Sequence, residues 1–162
     1  MQQIFHITRL LIIPLLLMGI HSCSGENCSI NNTVQGKLAF YDQAGNTVAF
    51  TNALTVKVAR PQGDSIVLNQ STYTSEVIFP LSYAYTTDTL IFDYNNGSEL
   101  DSIYINHSNI PTLVSIDCGT AMFHTITSVS STHNLIEAII LNSPEVDYDE
   151  CENIKVIYPI AN

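Results

Sequence analysis

From Val34 onward, apolar and polar positions alternate with a period of two. Val34, Leu38 and Phe40 interleave with Gln35 and Lys37, and Asp42 to Asn46 then supplies a turn. Leu54, Val56 and Val58 form a second alternating set, closed by Pro61-Gln62-Gly63-Asp64, after which Ser65 to Leu68 reads as a short hairpin return. Val77 to Leu81 contains Pro80, which confines it to a sheet edge or a strand end. Leu90, Phe92 and Tyr94 alternate again, and the Asn96-Gly97 pair turns the chain back into Leu100 to Asn106. Leu113 to Asp117 and Ala121 to Val129 flank Cys118-Gly119, and Asn153 to Tyr158 closes the pattern. Leu135 to Leu141 fits a helical stripe, but its three isoleucines and short length make it a strand. The pattern predicts an all-β fold: an antiparallel β-sandwich of about eight or nine short strands, immunoglobulin-like or similar.

The first 33 residues follow a different rule. Leu10 to Ile20 is an eleven-residue apolar run broken only by Pro14, too short for a membrane-spanning helix and of the length of a secretory signal core. Ile20-His21-Ser22-Cys23 follows it, with a branched residue three before a cysteine and a small one directly before. That arrangement resembles the lipobox of bacterial lipoproteins, in which the cysteine is acylated and becomes the first mature residue. The expected organisation is a signal peptide at 1–22, a polar tether at 23–33 and a β-sandwich domain at 34–162.

Charge narrows the partners. Five basic residues stand against fifteen acidic ones, a formal net charge of −10, so no basic face is available to neutralise phosphates and no nucleic-acid partner is expected. The same charge repels anionic lipid, which leaves acyl chains on Cys23 as the membrane link.

Sequence motifs for catalysis are absent: no G-x-S-x-G elbow, no P-loop, no Gly-rich dinucleotide turn. His107, His124 and His133 form no H-x-H or H-x-x-x-H pair. A zinc site would require them to converge from separate strands, and His124 reads as a hydrogen-bonded core histidine. Cys118 with His124 or His133 is a conceivable nucleophile pair, and Asp93 with Asp101, flanking the Asn96-Gly97 turn, a conceivable carboxylate pair. Glu145, Asp147, Asp149, Glu150 and Glu152 crowd one loop. Asp147, Asp149 and Glu152 are weak calcium candidates there, against the plainer reading of a solvated acidic loop. Tyr83-Ala84-Tyr85 would put two rings on one face of a strand, suited to stacking on a sugar or lining a protein interface. No cofactor is expected.

Several segments together resemble a known family. These are the lipobox followed by Cys28, the LAFYD run at 38–42, Asp117-Cys118-Gly119, the run HNLIEAIILNSPEV from His133, and Asn153-Ile154-Lys155-Val156-Ile157-Tyr158. The chain is similar to small single-domain lipoproteins of Bacteroidota, a domain-of-unknown-function family with no assigned activity. The resemblance implies a lipidated β-rich domain of the cell envelope. It retains Cys28 and Cys118 and makes Cys151 look like an addition. With Cys23 lipidated, three cysteines remain, so one disulfide is expected: Cys28–Cys118, with Cys118–Cys151 as the alternative. The functional expectation is a non-enzymatic lipoprotein at the outer membrane, facing the periplasm, that serves as a binding or accessory module for a protein or glycan. A pilus-like subunit pairing through the Pro80 edge, or a hydrolase whose site forms only on folding, are the alternatives.

Overall fold

A computed structural model describes residues 34–94, 97, 99–116, 118–149 and 151–159. The signal peptide, Cys23, Cys28 and the tether expected at 23–33 lie outside the described residues. Ten strands fall within them: β1 (Gln35–Tyr41), β2 (Leu54–Val58), β3 (Ser65–Ser71), β4 (Glu76–Pro80), β5 (Thr87–Tyr94), β6 (Glu99–Ser115), β7 (Gly119–Ser131), β8 (Ala138–Leu141), β9 (Glu145–Val146) and β10 (Ile154–Ile157). They build a four-stranded sheet, β4-β1-β10-β8, and a six-stranded sheet, β3-β2-β5-β6-β7-β9.

The two sheets pack as a sandwich because the alternating apolar sets all face inward. Leu38, Phe40, Val77, Phe79, Ile154 and Val156 from one sheet meet Leu54, Val56, Val58, Leu90, Phe92, Ile103, Ile105 and Ile126 from the other. Each fully buried side chain of this kind stabilises the fold by roughly 1.5–3 kcal/mol. At one end Tyr94 of β5 and Tyr158, just after β10, join their hydroxyls across the gap between the sheets, with Phe50 packed on both rings. Burial drives both phenol pKa values upward, so the pair stays neutral.

Most strand expectations hold. Asp42 to Asn46 is a turn, with Gly45 at φ 83° and the Asp42 carboxylate accepting the Asn46 N–H at 2.8 Å. Pro80 ends an edge strand.

Three expectations need correction. Leu100 to Asn106 and Leu113 to Asp117 are not separate strands: β6 runs unbroken from Glu99 through Pro111 to Ser115. Leu135 to Glu137 is not in a strand; only Ala138–Leu141 pairs with β10. And the sandwich is not purely antiparallel, since β1 pairs with β10 in parallel, Leu38 opposite Ile154.

Candidate functional site

Asp88 opens the inward-facing set of β5, one strand alternation before Leu90, and it is buried. An ionised carboxylate in that position needs partners, and it has three. Arg60, after β2, pairs with Oδ1, while Oδ2 accepts from the Ser82 N–H at 2.7 Å and lies 3.0 Å from His107 Nε2. His107 stands on the inward face of β6, two positions beyond Ile105.

The neighbouring strand completes the cluster. His124 of β7 is fully buried, and its ring meets the His107 ring edge to face, with centroids 5.2 Å apart. Its Nδ1 lies 2.8 Å from Oδ1 of Asn109, directly across on β6. Burial first, then the proximity of His107, pushes the His124 pKa down to about 4, with Asp88 opposing, so the ring is neutral at pH 7.

Above this cluster runs the loop between β4 and β5. The Asn109 side-chain amide donates to the carbonyls of both Tyr83 (3.1 Å) and Tyr85 (2.9 Å). The Ser82 hydroxyl accepts from the N–H groups of Ala84 and Tyr85. Tyr83 stacks on His124 at 5.7 Å between centroids. Both tyrosines remain about half exposed, at 50% and 48%. They are carried by a pinned loop and not, as expected, by a strand. Arg60, Asp88 and Asn109 were not foreseen as site residues; the one available signal was a charged residue, Asp88, at an inward position of an alternating run.

The other candidates disperse. His133 lies on a different segment, its Nδ1 3.0 Å from the Ile136 carbonyl oxygen, and takes no part in the histidine cluster. Asp93 and Asp101 do not form a pair. In the β5–β6 hairpin Asp93 is opposite Leu100 and Phe92 opposite Asp101, which puts the two carboxylates on opposite faces. Asp101 is buried and accepts from the Thr132 hydroxyl (2.6 Å) and from the N–H groups of Asn134, Leu135 and Ile136. Asp93 accepts from the Gly97 N–H.

The calcium candidates make other contacts. Asp147 accepts from the Asp149 N–H, Glu152 accepts from the Tyr41 hydroxyl at 2.7 Å, and among the described residues no three of His, Cys, Asp and Glu gather to hold a metal. Cys118 is disulfide-bonded, which removes it as a nucleophile; Cys28, its expected partner, lies outside the described residues. Cys151 is a free, exposed thiol, so the alternative Cys118–Cys151 bridge is not formed. A separate cleft of about 240 Å³ opens at the Tyr94–Tyr158 end, lined also by Phe50, Asn52, Glu99 and Leu135.

Against the curated proteins and against the solved structures, no match is found. A family model does match residues 53–158, which spans β2 to β10 and includes every residue of the cluster. The chain belongs to the family of unknown function DUF6452.

Proposed function

We propose that this chain is a lipid-anchored binding module of the bacterial cell envelope, with the Tyr83–Tyr85 loop as its contact surface and no catalytic role. The lipobox-like run from Ile20 to Cys23 supports the anchor, and the single acidic residue just after it, Glu26, favours the periplasmic side of the outer membrane over export to the surface. One observation carries the binding reading: a single Asn109 amide holds the carbonyls of both tyrosines, while both rings stay half exposed. Rings fixed in place before contact lose little conformational freedom on binding, and a tyrosine combines a flat apolar face with a polar tip. Such a surface suits the ring faces of a glycan or an apolar patch of a protein partner. The carboxylates that a hydrolase would need are consumed internally, Asp88 by three donors and Asp101 by four.

Two measurements test the reading. Feeding cells an alkyne palmitate should label the chain, and Cys23→Ala should lose the label and move to the soluble periplasmic fraction; an unlabelled native chain ends the anchor reading. In solution, defined envelope oligosaccharides should shift the ring resonances of Tyr83 and Tyr85, and Tyr85→Ala should weaken binding about tenfold. If no oligosaccharide or envelope protein perturbs those two rings, the contact surface is misassigned.

A further inference from the structure

The buried cluster leaves two ring nitrogens without a hydrogen-bond partner, His107 Nδ1 and His124 Nε2. The residues that carry them are 3% and 0% exposed. An unsatisfied buried polar atom is costly, and here two of them belong to rings in mutual contact.

The neighbours decide where the protons sit. Asn109 donates through Nδ2 to two backbone carbonyls, so its Oδ1 is the acceptor toward His124. His124 therefore carries its hydrogen on Nδ1 and keeps a lone pair on Nε2. The Asp88 carboxylate accepts from His107 Nε2, which leaves Nδ1 as the unpartnered nitrogen of that ring. Each histidine is thus held through one nitrogen by an oxygen acceptor while the other nitrogen has no partner. That is the arrangement in which outer groups orient metal-binding histidines and raise their basicity. The spacing allows a bent pair of ligands: with about 2.0 Å per metal–nitrogen bond, two imidazoles roughly 110° apart around one ion have centroids about 5 Å apart, and these lie at 5.2 Å.

We propose that His107 Nδ1 and His124 Nε2 bind a single monovalent copper ion, Cu(I). The ion follows from coordination number and charge. The one carboxylate beside this pair, Asp88, is taken up by Arg60, Ser82 and His107, and among the described residues no three of His, Cys, Asp and Glu gather to hold a metal, so neither a four-ligand zinc site nor an oxygen-lined calcium site can be completed from such side chains. The Asp88 carboxylate is already paired with Arg60, so a divalent ion would be desolvated without a counter-charge. Cu(I), with a single charge and a closed d shell, accepts two or three ligands. Met122 stands on the same face of β7, two residues before His124 and half-buried, where its thioether suits the same soft ion. Tyr83, stacked on His124, covers the site from the loop. This assignment rests on the buried cluster and is independent of the lipid anchor and of the glycan or protein contact.

The test uses the full chain carrying Cys151→Ser, so that the exposed free thiol cannot take the ion. Cu(I), kept reduced with ascorbate without oxygen, is titrated in competition with the chromophoric chelator bicinchoninate. One equivalent should bind. His107→Gln and His124→Gln should each weaken binding by at least about 100-fold, and His133→Gln should leave it unchanged. Long-range proton–nitrogen spectra of the imidazoles provide a readout that needs no histidine substitution and decides the matter if those variants fail to fold. One equivalent should move His107 Nδ1 and His124 Nε2 while the opposite nitrogens keep their protons. No uptake, uptake indifferent to both histidines, or spectra in which those two nitrogens do not move overturns the proposal.

Discussion

Gly36 of β1 sits opposite Phe79 of β4, and the Phe79 ring occupies the space above it. A Cβ at Gly36 would lie 2.6 Å from Phe79 Cζ and 2.7 Å from Cε2, closer than carbon atoms approach. The ring is fully buried and has no room to yield. Gly36→Ala should therefore destabilise the fold by about 1–3 kcal/mol, read as a lower urea midpoint at unchanged slope. An unchanged midpoint would mean that the ring can move. Asp101 poses the opposite problem, a carboxylate whose two oxygens are filled by four donors from Thr132 to Ile136. Asp101→Asn keeps the shape but turns one acceptor into a donor facing N–H groups. The expected loss is about 2–3 kcal/mol, and a midpoint equal to that of the native chain would show that Asp101 does not hold this segment. The sequence suggested instead that Asp101 could face Asp93, but the β5–β6 register, with Tyr94 opposite Glu99, puts the two on opposite faces. What no local pattern announced is Asn109. Its two acceptors lie 24 and 26 residues away on another segment, and only the fold brings them together.

At the scale of elements, alternation located most of the strands, and the failures have physical causes. The pattern left a gap between Asn106 and Leu113, yet β6 runs through it, Pro111 included. Beyond Asn106 the strand has lost β5 as a neighbour and pairs with β7 alone, so a residue without an N–H is tolerated there as on any edge. Tyr83-Ala84-Tyr85 alternates like a strand, but its backbone polar groups are satisfied by Asn109 and Ser82 and not by a ladder. The far half of the β6–β7 hairpin also has little to bury against: Leu113 is 67% and Ile116 95% exposed. Local opening should therefore reach it long before the sandwich unfolds. Native-state hydrogen exchange is expected to show the amides of Leu113 and Thr120 exchanging about 100-fold or more faster than those of Ile103 and Ile105. Equal protection along the whole of β6 would mean that the hairpin and the sandwich open as one unit.

At the scale of the whole molecule, the four-stranded sheet is closed by the two ends of the described chain. β1 and β10 are its inner strands, paired in parallel, with Leu38 opposite Ile154 across more than a hundred residues of sequence. Pairing so remote forms late, because loop-closure entropy must be overcome before the contacts contribute. It also leaves the sheet dependent on both ends. The family match begins at residue 53 and so omits β1. A fragment cut to 53–158 would lose Leu38 and Phe40 from the core and strip β4 and β10 of their shared neighbour. Phe40 contacts both Phe92 of the opposite sheet and Tyr158 at the end of its own. Removing two fully buried side chains with five paired residues of β4 exceeds the few kcal/mol by which a domain of this size is stable. The 53–158 fragment should show no cooperative unfolding transition by circular dichroism, whereas 34–159 should unfold in one step. A cooperative melt of the shorter fragment would show that the six-stranded sheet and β10 fold without β1, and that the parallel pair is an addition to the domain and not its closure.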